Sequence, residues 1–334
     1  MRFLKYLFLL LTLLVISFAA WMAYFVTTPL QFPSETVAFE LRAGSSLRSI
    51  SQQLVDQGML QEPWSFIVLV RAMRMAGGIK AGNYLLESGQ TPYQLFINLS
   101  NGNVSQDSIT FIEGWTFAQM RQALNNHESV RHLTMAYTDE EIMRNIGAAG
   151  TLPEGMFFPD TYYFSRGMSD QDILKRAYTA LQNRMEAAWQ QRDPAVPYTS
   201  SYEALIMASI VEKETGKASE RPLIAGVFLN RMRMGMRLQT DPTVIYGMGE
   251  SFDGNLRKRD LIKDTPFNTY TRSGLPPTPI AMAGMAAINA ALHPMQTDAV
   301  YFVGKGDGSH HFSRTLTEHN RAVVRYQLRG GNAR

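Results

Sequence analysis

The chain has 334 residues, enough for more than one domain, and its 45% hydrophobic content excludes an intrinsically disordered protein. Its 32 basic and 29 acidic residues leave a formal charge of +3, too balanced for the single-sign field of a nucleic-acid binder, so no nucleic-acid partner is expected. Cysteine is absent, which removes disulfides, thiolate nucleophiles and Cys-based metal sites and leaves stability to packed cores.

From Tyr6 to Val26 the chain reads YLFLLLTLLVISFAAWMAYFV, an uncharged run of about the 20 residues that an α-helix needs to cross the hydrocarbon core. Arg2 and Lys5 precede it, and short basic flanks stay cytoplasmic, so the chain beyond Thr27 is expected on the far side of the inner (plasma) membrane. A cleaved signal peptide is the competing reading. The run exceeds a typical signal core, however, and Trp21, Met22, Tyr24 and Phe25 make a poor cleavage site. Residues 1–27 are therefore read as a cytoplasmic tip and single-pass anchor. Pro29 and Pro33 make 28–35 an extended linker.

Residues 36–104 read as a small α+β domain. Val37–Leu41 alternates like a strand, Gly44 marks a turn, and Ser46–Val55 has apolar residues at helical spacing behind a Ser45 or Ser46 cap. A second helix is expected over 64–76 and a strand over Ala81–Glu87. A third helix runs from Thr91 as cap, through Pro92 at its first position, to Ser100. The strand, glycine turn and Leu47/Ile50/Leu54 helix resemble a LysM-like module, a fold associated with glycan binding; a plain spacer domain is the alternative.

Residues 105–334 read as a larger, mainly helical domain with added strands. Ile109–Ile112 is an expected strand, Thr116 caps a helix over Phe117–Asn125, and 126–150 reads as a helical insertion. Leu152–Phe164 is dense in aromatics and turn formers, suiting a core-lining loop or a groove wall. A long helix is expected from Ser169 to Arg192, with Asp170 and Asp172 near its positive end and Pro194 and Pro197 beyond it. Another is expected over Ser219–Arg233.

Between these two lies Ala204–Gly216, ALIMASIVEKETG, an apolar helical run ending in two carboxylates and a hydroxyl. At roughly 100° per residue, Ala204, Met207, Ile210 and Val211 share one arc and Glu214 falls inside it. Glu212 lies at its margin, with Ser209 and Lys213 opposite. A carboxyl on an apolar face has a raised pKa and can donate a proton near neutral pH, which makes Glu214 the candidate acid and Glu212 the alternative. The plain alternative is that both are ordinary last-turn residues before a Gly216 cap.

Further motifs follow: Val227–Arg231, Met236–Gly247, Asn268–Thr271 and Ser273–Pro277. Together with Glu154–Tyr162, Gly308–Ser313 and His319–Asn320, they closely resemble the MltG (YceG-like) family of endolytic murein transglycosylases. The resemblance runs over nearly the whole chain beyond the anchor. It implies a membrane-bound enzyme with a LysM-like part and a lysozyme-like catalytic domain, cutting nascent peptidoglycan with one Glu. It places that role on Glu214, followed by Thr215, and implies peptidoglycan strands as partner, with peptidoglycan synthases as possible neighbours. Gln239, Thr240 and Asp241 are then candidates for orienting the sugar, although Asp241-Pro242 also suits a helix start. Asn268 and Tyr270 pair an amide with an aromatic platform for glycan. His310 is a further contributor by its place in the family-like segment.

Two other classes are weighed. A zinc hydrolase could draw on His293, His310, His311, His319 and Asp307, but none has the spacing that sets two ligands on one helical face, so no metal or other cofactor is expected. A noncatalytic wall-binding scaffold is distinguished from an enzyme by its indifference to Glu214→Gln.

Overall fold

We describe the protein from a computed structural model that covers residues 2–328 except 35, 43, 74–77 and 103–105. Helix α1 (Arg2–Thr27) is apolar along its length, and its hydrophobic window is not buried within the protein at all. A helix with no polar face, and with no residue of its hydrophobic window buried, suits lipid.

The chain forms two compact units, the first comprising residues 1–107 with 163–166 and the second 108–162 with 167–334. In the first, β1 (Thr36–Leu41) precedes α2 (Leu47–Asp56) and α3 (Trp64–Ala72), and β2 (Gly82–Glu87) precedes α4 (Pro92–Asn101). β1 and β2 pair antiparallel, with Thr36 opposite Glu87 and Leu41 opposite Gly82. Ser46 caps α2 by accepting the Ser49 N–H at 3.2 Å, and Thr91 and Gln94 form a capping box at α4. Phe39, Leu54, Phe66, Tyr84, Leu95 and Phe96 fill the core between sheet and helices. The helix expected over 64–76 is observed over 64–72 with Met73 as its cap; residues 74–76 lie outside the described residues.

Strand β3 (Gln106–Thr110) pairs with β4 (Thr161–Ser165). Between them lie α5 (Phe117–Asn125), capped by Thr116, and α6 (Asp139–Asn145), capped by Thr138. The helical insertion expected over 126–150 is thus helical only at α6. The physical reason is that the N–H groups of Leu133 and Thr134 are taken by the Asp170 carboxylate, at 3.0 and 2.9 Å, rather than by a preceding turn.

Next come α7 (Asp170–Gln190), α8 (Ser201–Glu214), α9 (Arg221–Arg233), α10 (Asp241–Met248), α11 (Lys258–Ile262) and α12 (Met285–Leu292). The antiparallel pair β5 (Tyr301–Gly304) and β6 (His310–Ser313) then precedes α13 (Leu316–Val323). α8 is the central helix, packed on α7, α9, α10 and α12, and every residue from Ala204 to Val211 is buried. Ser209, expected on the polar side, is enclosed too: it donates to the Ile206 carbonyl and accepts from the Ile280 N–H at 3.0 Å. Four packed neighbours leave the stretch 204–211 no solvent face.

α9 approaches the segment after α12 so closely that a Cβ on Gly226 would stand 2.3 Å from the Met295 carbonyl oxygen. Gly226→Ala should therefore lower stability by about 1–3 kcal/mol through overpacking, read as a fall in the urea midpoint. An unchanged midpoint would mean that this crossing yields freely.

Candidate active site

Glu214 is the last residue of α8. The chain then leaves the helix at Thr215, which is extended at φ −147° and ψ 133°, so the cap is Thr215 and not Gly216. The Thr215 side chain is buried, and its hydroxyl accepts the Lys217 N–H at 3.0 Å. Glu214 itself is half-buried. Burial pushes its carboxyl up to about 7, the charge of Asp241 adds to the rise, and the hydrogen bond donated by the Thr240 hydroxyl to Oε1 opposes it.

Thr240 is held in place by a strained turn. Gln239 has φ 53°, the one positive φ at a residue other than glycine among the described residues. Its N–H donates to the Thr269 carbonyl at 3.1 Å, and its side-chain oxygen accepts from Arg231. The buried Arg231 also donates to the carbonyls of Arg237 at 2.8 Å and Val300 at 3.0 Å. Thr240 then caps α10, its N–H donating to Thr269 Oγ1 at 3.1 Å. Asp241 opens α10 and accepts the Tyr270 hydroxyl at 2.5 Å. Burial, this bond and the nearby acids raise the Tyr270 pKa, keeping its hydroxyl a donor. Glu214, Thr240, Asp241 and Tyr270 therefore stand together.

The remaining expected residues are placed differently. Asn268 is fully buried; its amide donates to the carbonyls of Asp260, Leu261 and Lys263 while Oδ1 accepts the Tyr270 N–H. It braces Tyr270 and has no amide proton left for a ligand. Gln239 likewise spends its side-chain oxygen on Arg231. Glu212 turns away from Glu214, its carboxylate paired with Arg221 at 2.8 Å and accepting the Gly284 N–H at 3.0 Å. Burial raises its pKa against both of these partners. His310 forms its own dyad, Nδ1 lying 2.8 Å from Glu220 Oε2. Among the described residues, no group of three or more His, Asp or Glu is placed to hold a metal ion.

A cavity of about 1150 Å³ is lined among others by Phe117, Glu154, Lys213, Ile245, Tyr246 and Phe267, though not by Glu214, Thr240, Asp241 or Tyr270 themselves. It shares the end of α8 with Glu214 and the body of α10 with Asp241. At its wall Glu154 is buried and accepts the Phe117 N–H and the Tyr246 hydroxyl, each at 3.1 Å. Burial nevertheless pushes its carboxyl up to about 7. Sequence reasoning quoted Glu154, Arg231 and Tyr246 inside motifs without a role, and it missed Glu220 altogether. Their partners lie 90 or so residues away for Glu154 and Glu220, so no local spacing marks them.

Because the Thr240 hydroxyl favours the ionised form of Glu214, Thr240→Val should move the alkaline limb of the activity profile upward by about 0.5–1 pH unit. An unmoved limb would mean that Thr240 does not act on the titrating group.

A half-buried carboxyl with a near-neutral pKa, set among hydroxyls and an aromatic ring, is the equipment of an acid catalyst working on a polar substrate. The YceG-like family matches residues 39–325, and the chain belongs to that family. It is 33% identical over 309 residues to an endolytic murein transglycosylase of Bacillus subtilis, covering 87% of this chain and 85% of the relative. An endolytic murein transglycosylase of Streptococcus pneumoniae serotype 2 is 24% identical over 325 residues, covering 85% of this chain and 57% of the relative. A 2.6 Å crystal structure titled as a YceG-like protein of Listeria monocytogenes matches with a TM-score of 0.53 and 30% identity, over 86% of this chain and 98% of that one.

Proposed function

We propose that the protein is a membrane-anchored endolytic murein transglycosylase with Glu214 as its catalytic acid and base. The observation that carries this reading is the Glu214 carboxyl at the end of a helix buried over 204–211, its pKa near 7, bonded to Thr240 and adjoining Asp241. The names of the relatives supply the reaction class.

Protonated Glu214 donates to the glycosidic oxygen between MurNAc and GlcNAc, and the bond breaks through an oxocarbenium-like state. The resulting carboxylate then takes the proton of the muramoyl C6 hydroxyl as that oxygen attacks C1. The product is a 1,6-anhydro end, and Glu214 is protonated again for the next turn. The nucleophile belongs to the sugar, so high effective molarity replaces a second carboxylate. Thr240 holds the acid, Tyr270 and Asp241 form a polar wall for the sugar, and Asn268 positions Tyr270. Thr215, Gln239 and His310 complete the proposed binding region, and Glu212 serves as a structural counter-ion to Arg221.

In this reading the first unit is a LysM-like glycan holder and the second a lysozyme-like cutter. Arg2 and Lys5 keep the N-terminus cytoplasmic and place both units outside the membrane, beside the synthases that extrude new strands. The test is the length distribution of products from long uncrosslinked glycan strands. Internal cutting yields fragments of intermediate length early in the reaction, whereas release of disaccharides from one end alone would refute the endolytic assignment. Strands bound but left uncut by the folded full-length protein would leave a wall-binding scaffold.

A further inference from the structure

Among the described residues of the first unit, α3 carries an outward apolar stripe, and that stripe touches the membrane helix. α2 turns polar residues outward, among them Arg48, Ser49, Gln52 and Asp56. α3 buries Ser65, Phe66, Leu69 and Val70, while Trp64, Ile67, Val68, Ala72 and Met73 remain partly or fully exposed with Arg71 as the one charge. Residues 64, 67, 68 and 71 follow helical spacing, so they form a single outward stripe. Trp64, 48% exposed, stacks on Trp21 of α1 with ring centroids 4.6 Å apart and planes at 16°. Phe25 and Val26 of α1 also pack against the core of this unit.

The stack fixes the depth of α3. The run Tyr6–Val26 is about 30 Å long at 1.5 Å per residue, matching the hydrocarbon core, and Trp21 lies about 7 Å before its outer end. If α1 is shifted outward until its hydrocarbon segment begins at Phe3, Trp21 still reaches the outer boundary. Trp64 lies beside Trp21, so it stands at the headgroup boundary in the outward setting and about 7 Å below it in the other, within the depth to which an interfacial helix buries its apolar face.

We infer that α3 is an interfacial helix whose Trp64, Ile67 and Val68 stripe rests in the outer surface of the lipid bilayer, seating the first unit on the membrane rather than leaving it on a free tether. The inference rests on α1 spanning the membrane, and it concerns a lipid surface, not a protein partner. Continuity with the spanning helix singles out lipid, because any occupant of this stripe has to begin where Trp21 is already in the bilayer.

The absence of cysteine makes a direct test possible in the full-length chain reconstituted into phosphatidylethanolamine/phosphatidylglycerol bilayers. Single nitroxide labels are introduced through Val68→Cys, through Gln52→Cys on the polar face of α2, and through Ile16→Cys within α1. Collision with oxygen, which concentrates in lipid, is compared with collision with a water-soluble nickel complex. Position 68 should show an oxygen-to-nickel ratio severalfold above position 52 and below position 16. Ratios at 68 and 52 that are equal, with 16 oxygen-favoured, would overturn the inference while leaving the anchor standing. A water-like ratio at 16 would overturn the anchor itself. Shielding of 68 from both reagents would mean that protein covers the stripe, and would also overturn it.

Discussion

Glu214→Gln should reduce cleavage of glycan strands by about 10²–10⁴-fold, the range that a positioned general acid supplies, while making the protein more stable at alkaline pH. The amide keeps the shape of the side chain and its contact with Thr240 but has no proton to give. The stability half follows from linkage. The folded-state pKa of Glu214 is about 7 and its ordinary value 4.5, so between those values the folded state keeps a proton that the unfolded state releases. Stability therefore falls as pH rises from about 4.5 to about 7 and stays lower above that. Glu154, also at about 7, acts with the same sign. Removing one of these ionisations should leave the variant with the higher urea midpoint at pH 8 and bring the two proteins together near pH 4. A parent protein that is more stable than the variant at pH 8 would mean that Glu214 does not sit in a desolvating site.

Asp170→Ala should cost about 3–5 kcal/mol, the range seen when a buried, fully engaged polar network loses its centre. Asp170 is entirely buried at the start of α7. Its two oxygens accept the N–H groups of Leu133 at 3.0 Å, Thr134 at 2.9 Å and Gln171 at 2.8 Å, and the Thr134 hydroxyl at 2.8 Å. Alanine strands these donors in a site closed to solvent, and each abandoned donor carries a penalty of about 1–3 kcal/mol that does not add in full. Asp170→Asn keeps one acceptor and should lie between the two. Urea denaturation of the three proteins measures the series. A loss below about 1 kcal/mol for alanine would show that the 126–150 segment does not depend on this carboxylate.

These two residues also mark what the sequence could and could not disclose. The desolvated position of Glu214 was legible because α8 obeys a simple angular rule: the residues sharing its arc are apolar, and a carboxyl among them is chemically conspicuous. The caps Ser46, Thr91 and Thr116 were legible for the same reason, since capping acts over three residues. Asp170 was read only as an acid near a helix start. Its actual partners lie some 36 residues earlier, and by taking their N–H groups it prevents the helix that composition suggested there. The Glu154–Tyr246 pair spans 92 residues and the His310–Glu220 dyad 90, so only the packed fold brings them together. Asn268 looked like a ligand-facing amide because sequence shows a side chain's chemistry without showing that three carbonyls already consume it. Ser209 failed in the opposite direction, since a polar residue on a helix implies a solvent face only when nothing packs there.

The most direct measurement of the central claim is mass spectrometry of strand ends after the full-length protein and its Glu214→Gln variant act on purified peptidoglycan in ¹⁸O-water. The account requires 1,6-anhydro-MurNAc ends without ¹⁸O from the parent and no new ends from the variant. Reducing ends carrying ¹⁸O would contradict it, making water the nucleophile and Asp241 the carboxylate to examine next; anhydro ends from the variant would remove Glu214 from the chemistry.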